Sequence, residues 1–346
     1  MLRLSPFEET EKARRLKVLF SVPSPTPATN PYIPLLVAAL GAEGVSVRFF
    51  SWKSAFVGRV DIFHVHWPEL LVRRPSRLKS AAAAMLGILL LGKFRMTGTR
   101  VVWTVHNMSP HESGGRLERF FLRRFLASVS SRVYINRSSE NVDLPATTIL
   151  HGTYSPWYKP LRSWSGERDR DFLFFGLVRP YKGLESLLAA YSELGGSSDL
   201  TVVGKPNSLE YAAEIGDRAS GLRSVTLTLA HVPDDQLTDL VSRSKVVVLP
   251  YTRMYNSGAL LLALSLGAHV LAPRTPSNIS LQAEFGERWI TLFNDELAVS
   301  DLETALSMSR RNNSQDSPDM SQREWPLVGR QHRELYDRVV AQKQRA

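Results

Sequence analysis

DFLFFGLVRPYKG, residues 171–183, sets the reading of the whole chain. Its apolar run Phe172–Phe175, stopped by Gly176, has the length and bounds of a short buried strand. Pro180 and Gly183 punctuate the turn that follows, and GLESLLAAYSELG (183–195) has helical spacing. A strand, a glycine-bounded turn and a helix make half of a βαβ unit. Arg179 and Lys182 fall in that turn, beside the free N–H groups of the helix start, which is a chemistry suited to a diphosphate. The same residues would also serve a solvated basic turn, so a second motif is needed.

That motif comes after the strand KVVVLPY (245–251): Asn256, Ser257 and Gly258 open the fully apolar helix NSGALLLALSLG (256–267). Asn256 or Ser257 can cap the helix, Gly258 allows close approach of a ligand to the backbone, and Tyr251 closes the preceding strand. Capping alone would need the same residue types. Both runs, however, stand where strands end, and Gly176, Arg179, Lys182, Tyr251, Asn256, Ser257 and Gly258 can then serve one ligand. Between and after them lie LTVVG, NSLEYAAEIGDRA, SVTLTLA, PDDQLTDLVSRS and HVLAP, again strand alternating with helix.

Upstream the alternation repeats: KVLFSV, IPLLVAALGAEG, VSVRFF, VDIFHVHW, TRVVWTVHN, RLERFFLRRFLASVS, SRVYIN and TTILHG. With 346 residues, 43% of them hydrophobic, the chain is long enough for two packed domains. The expected fold is α/β: two Rossmann-like doubly wound domains facing a cleft. Their expected bounds are 1–155 and 156–326, with the helical tail 327–346 packing back on the first domain. The polar stretch 309–323 reads as a flexible loop.

No cysteine is present, which excludes disulfides, thiolate metal sites and a cysteine nucleophile, and fits a reducing compartment. The net charge of +10 is uneven: residues 1–155 hold 21 Lys+Arg against 10 Asp+Glu, and the remainder 22 against 23. The basic half points to an anionic surface. The run Ala81–Leu91 has 11 continuous apolar residues, short of the roughly 20 that span a bilayer. Arg73, Arg74, Arg77, Lys79, Lys93 and Arg95 flank it, as in a helix lying in an anionic interface; an ordinary buried helix is the alternative. No nucleic-acid-binding module is recognisable. The expected location is cytoplasmic, peripheral on the inner face of the cell membrane.

Other candidates lie where the strands of the first half end. Glu112 and Glu69 are the available carboxylates for a general base, with His106 and His111 as alternates; Glu112 ranks first because its long loop can reach inward. His64 and His66 share one strand face, but without a third ligand they read as core or cleft-lining residues rather than a metal pair. Asp169 and Asp171 sit before a strand, and read as solvated acids rather than metal ligands.

The runs VDIFHVHWPE, TVHNMSPHE, ILHG, FGLVRPYKG, VVLPY, MYNSGALLLALSL and SQREWP, in this order over nearly the whole chain, resemble the GT-B glycosyltransferases. More narrowly they are similar to glycosyltransferase family 94, the GDP-mannose-dependent β-mannosyltransferases of xanthan-type exopolysaccharide assembly. That resemblance implies a GDP-mannose donor, a polyprenyl-diphosphate-linked glycan acceptor with glucuronate as the candidate terminal sugar, and metal-independent transfer with inversion. Retaining GT-B enzymes usually present two glutamates eight residues apart; Met254 and Leu262 stand in those places here, and His269 replaces a proline. The departure suits inverting chemistry. A sugar-nucleotide 2-epimerase and a non-catalytic subunit that anchors a transferase at the membrane are the alternatives.

Overall fold

The computed structural model describes residues 15–26, 29–106, 115–137, 146–252, 254, 256, 258–313 and 316–342. The first domain runs β1 (Lys17–Phe20), α1 (Tyr32–Ala42), β2 (Ser46–Phe49), α2 (Trp52–Val57), β3 (Ile62–Val65), α3 (Arg77–Thr97), β4 (Arg100–Val105), α4 (Arg116–Ser128), β5 (Val129–Tyr134) and β6 (Ala146–Thr148). The second runs α5 (Ser155–Tyr158), β7 (Arg170–Phe175), α6 (Leu184–Ser192), β8 (Leu200–Val203), α7 (Leu209–Ala219), β9 (Val225–Thr228), α8 (Asp234–Arg243), β10 (Ser244–Val248), α9 (Gly258–Ser265) and β11 (His269–Pro273). It continues through α10 (Pro276–Phe285), β12 (Ile290–Phe293) and α11 (Val299–Ser309), and α12 (Trp325–Ala341) closes the chain.

Each domain has a six-stranded sheet, in the orders β2-β1-β3-β4-β5-β6 and β12-β11-β10-β7-β8-β9, and every described pairing is parallel. Parallel strands are covered on both faces, which is why β3 and β8 are wholly apolar or buried. The first sheet carries α1 and α12 on one face, around Leu36, Tyr336 and Val102, and α3 and α4 on the other, around Phe63, Phe94 and Phe121. Gly329 of α12 crosses directly over the Ala39 carbonyl of α1, so the C-terminal helix does pack on the first domain.

The helix around Ala81 is longer than its apolar run. Ser76 caps it by accepting from the Lys79 N–H at 3.2 Å, and left-handed Gly98 ends it, giving 21 residues. By length and composition alone α3 could cross a membrane. Its inner face, however, is committed to the domain: Ala83, Ala84, Leu90, Leu91 and Phe94 are buried, and Gly87 admits the Phe121 ring of α4 where any side chain would collide.

The segment before α12 is more built than its polar composition implies. Met320 is buried, and Arg323, only 1% exposed, pairs with Glu284.

Candidate active site

In the second sheet β7 and β10 are neighbours from which the chain departs in opposite directions, to β8 and to β11. This is the topological switch point, the crevice where doubly wound sheets bind ligands. FGLVRPYKG leaves β7 there and Tyr251–Gly258 leaves β10, so the two motifs read from the sequence are brought to one place. Their contact is tight. Gly183 (φ +66°) lies against the Pro250 carbonyl, where a Cβ would overlap the oxygen, and the Thr252 N–H donates to the Tyr181 carbonyl at 3.0 Å. Gly183 is also the residue before α6, and its lack of a side-chain cap leaves the N–H groups of the first turn open to a ligand.

Lys182 Nζ stands 3.5 Å from the centre of the Tyr251 ring and 5.2 Å from that of Tyr181. Burial, and then Arg179 beside it, push its pKa down to about 7. Among the described residues no carboxylate pairs with Lys182 or Arg179. Two cations held near each other in a half-buried crevice, with a helix N-terminus, are short of negative charge, and a diphosphate would supply it.

Facing this crevice are the strand ends of the first domain. The His66 N–H donates to Ser21 Oγ at 3.1 Å, and His66 Nδ1 meets His106 Nε2 at 3.1 Å. Trp67 stacks on His106 with ring centroids 4.3 Å apart, and the buried Tyr32 ring touches His66, His106 and His151 edge-on or tilted. Burial, reinforced by neighbouring imidazoles, holds His64, His66 and His106 well below the ordinary imidazole range. All three are neutral at physiological pH, so His106 has a lone pair or an N–H, but no charge, to offer the cleft. His64 is a core residue: Nδ1 meets Tyr336 Oη at 2.6 Å and Nε2 meets Thr104 Oγ1 at 2.7 Å.

Asn256 crosses between the domains. Its amide donates to the His106 carbonyl at 2.8 Å, and its Oδ1 accepts from Asn136 Nδ2 at 2.7 Å. The side chain read as a possible helix cap is thereby spent on holding the segment after β10 against the strand that leads to His106. Tyr154, whose hydroxyl lies 2.9 Å from where a Cβ on Gly258 would be and donates to Asn30 Oδ1 at 3.0 Å, makes a second crossing. Asn30, Asn136 and Tyr154 escaped sequence reasoning; Asn136 alone left a trace, as a polar residue ending an apolar strand.

Glu69 lies in the short turn Pro68–Leu71 after β3, half-buried on the first-domain side. Glu112, His111 and Ser257 lie outside the described residues. Met254 and Leu262 are buried, and His269 is a core residue between the Arg288 carbonyl and Thr291 Oγ1. Asp169 and Asp171 pair with Arg243 and Lys245 at the start of β7, the edge of the sheet away from the crevice. Among the described residues no group of three His, Asp or Glu could hold a metal ion.

No family model matches the chain. It is 38% identical over 333 residues, 96% of its own length and 95% of the relative's, to the GDP-mannose:glycolipid 4-β-D-mannosyltransferase of Xanthomonas campestris pv. campestris. The chain belongs to that glycosyltransferase family. Its fold is GT-B: Anabaena HepE in complex with UDP and glucose has a TM-score of 0.67 at 15% identity, covering 93% of this chain and all of that one. Sucrose-phosphate synthase from Thermosynechococcus elongatus has a TM-score of 0.61 at 15% identity, covering 96% and 98%. The switch-point crevice and the histidine-lined strand ends face one another and are joined through Asn256.

The basic residues around α3 divide. Arg73 makes a two-pronged ion pair with Glu118 of α4, at 2.8–3.1 Å. Lys93 donates to the Ala55 and Gly58 carbonyls at 2.6 and 2.7 Å, closing the end of α2. Arg74 is turned back on the carbonyls of Leu70, Leu71 and Arg73. Arg77, Lys79 and Arg95 remain exposed. What the sequence did not show is an apolar stripe on the same outer face: Leu78, Met85, Leu89 and Met96 are 62–89% exposed.

Proposed function

We propose that the enzyme transfers mannose from GDP-mannose, with inversion, to a polyprenyl-diphosphate-linked oligosaccharide in exopolysaccharide or cell-surface glycan assembly, without a metal. The observation that carries this is the unpaired cation pair Arg179–Lys182 at the switch point, tied through Asn256 to the strand end of His106, in a chain 38% identical to a GDP-mannose:glycolipid mannosyltransferase. The acceptor oxygen attacks the anomeric carbon as the bond to the diphosphate breaks. The hydroxyl proton passes to a base on the first domain, and the charge on the departing diphosphate is met by Arg179, Lys182 and the α6 N–H groups. Glu112 is our first assignment for the base, ahead of Glu69, His106 and His111. Gly176, Tyr251, Asn256, Ser257 and Gly258 complete the donor side, Asn256 by positioning.

A glycolipid acceptor calls for a bilayer. The stripe Leu78–Met85–Leu89–Met96, with Arg77, Lys79 and Arg95 at the helix ends, supports peripheral attachment at the inner face, with α3 lying flat.

Incubation with membranes and radiolabelled GDP-mannose should carry label into the organic phase. Label that stays water-soluble while the free nucleotide sugar changes identity would replace transfer by epimerisation. Glu112→Gln should lower kcat by about 100-fold or more with the GDP-mannose Kd unchanged; full turnover in that variant, with loss in Glu69→Gln, moves the base to Glu69.

A further inference from the structure

Between the C-terminal halves of α3 and α4, at the start of β4, lies a groove of about 550 Å³. Ile88, Leu91 and Phe120 give it apolar walls, and Arg95, Arg100 and Arg124 are its charged residues; no Asp or Glu lines it. The Arg124 guanidinium is 5.3 Å from the centre of the Phe120 ring, and Arg100 Nε is buried without a hydrogen-bond partner. A groove that pairs an apolar floor with three arginines lacking acids calls for a ligand that is itself part anion, part hydrocarbon.

The groove is separate from the catalytic cleft. β4 leads from Arg100 in the groove to His106 in the cleft, about 20 Å along the strand. α3 runs the other way, about 30 Å, with Arg77 and Lys79 at its cleft end and Arg95 at the groove. The outward apolar stripe joins the two ends. The first turn of α3 also holds cations and no acid, an arrangement the helix dipole disfavours and an external anion would repay.

We propose that this groove is a binding site for one anionic phospholipid, its phosphate on Arg95, Arg100 and Arg124 and the start of an acyl chain on Ile88, Leu91 and Phe120. Held at that end, α3 lies along the bilayer and the cleft opens toward the membrane at the other. This rests on the peripheral attachment proposed above, and deepens it.

Flotation of the full chain with phosphatidylcholine vesicles, with and without phosphatidylglycerol, tests it. Arg95→Glu/Arg124→Glu should lower partition onto phosphatidylglycerol vesicles by at least about tenfold, and leave partition onto phosphatidylcholine alone unchanged. Arg77→Glu/Lys79→Glu, the same charge change outside the groove, should have a clearly smaller effect. Equal losses in the two variants would make the attraction diffuse and overturn the site. Phosphatidylglycerol with a photoactivatable acyl chain should label peptides holding Ile88, Leu91 or Phe120; label confined elsewhere overturns it as well. A wild-type dimer that Arg95→Glu/Arg124→Glu dissociates would make the groove a self-association surface instead. Should the wild-type chain float with neither vesicle, membrane attachment itself fails; flotation that the groove variant leaves intact fails the groove alone. A thermal midpoint like that of the wild type shows that each variant is folded.

Discussion

Replacing Arg179 and Lys182 together by alanine should lower kcat/KM for GDP-mannose by about 10²–10⁴-fold. Each charge-assisted contact to the diphosphate contributes roughly 1.5–3 kcal/mol. The single variants should sum to less than the double, because the two cations repel: losing Arg179 lets Lys182 hold its proton more firmly. The same repulsion sets a pH dependence. In the free site burial, and then Arg179, push the Lys182 pKa from its ordinary 10.5 down to about 7. A bound nucleotide sugar, whose diphosphate diester does not titrate in this range, draws that pKa back up. Binding therefore takes up a proton wherever the pH exceeds the free-site value. Affinity should be level below about pH 7 and fall by up to about tenfold per pH unit above it. Titration calorimetry between pH 6.5 and 8.5, in buffers of different ionisation enthalpy, reads both the affinity and the proton. Lys182→Arg should flatten the profile, since a guanidinium stays charged. A wild-type profile as flat as that of Lys182→Arg would remove Lys182 from the diphosphate site.

The two motifs that we assign to the donor side could be located in the sequence because each is built from consecutive residues. The turn of Gly176–Gly183 and the loop to Gly258 each follow an apolar strand, and strand ends define where such sheets bind ligands. The seam between the domains was not legible. Asn256 has the sequence context of a helix cap, and only the tertiary fold sets it 2.8 Å from the carbonyl of His106, 150 residues away. Charge read from sequence failed in the same way at Arg73 and Lys93: their partners, Glu118 and the carbonyls of Ala55 and Gly58, lie 35–45 residues off. The apolar run Ala81–Leu91 hid its own outer face, because a helix apolar all round carries no periodic signal. The α10–β12–α11 stretch went unread for a related reason: α10 has no amphipathic stripe, and the strand Ile290–Phe293 is only four residues long.

Arg323→Ala should destabilise the protein by about 3–5 kcal/mol, the cost of leaving a buried charge without its partner. Arg323 Nε and Nη2 each donate to Glu284 at 2.8 Å, and Nη1 donates to the His151 carbonyl at 3.1 Å. The pair joins α10 of the second domain to the chain that has just left β6 of the first. The backbone joins there too: the Thr153 N–H donates to the Arg323 carbonyl at 2.8 Å, and Trp325 Nε1 donates to the Thr153 carbonyl at 2.7 Å. Gly152 leaves the space that the Trp325 ring fills. The outgoing and returning links between the domains thus cross at one point, and Arg323 and Trp325 are the side chains that bind them. Loss of Arg323 should therefore uncouple the domains as well as weaken them: urea unfolding should give one transition in the wild type and a broadened or split one in Arg323→Ala. Arg323→Lys should recover little, because one ammonium cannot satisfy both carboxylate oxygens and the carbonyl. Removing both charges, as Arg323→Met/Glu284→Leu, should recover most of the free energy, since apolar groups of similar size often replace a buried ion pair without net cost. A midpoint unchanged in Arg323→Ala would show that the crossing is held by Trp325 and the backbone bonds without the ion pair. Full stability in the apolar double with lost transfer activity would assign the pair to setting the angle between the domains.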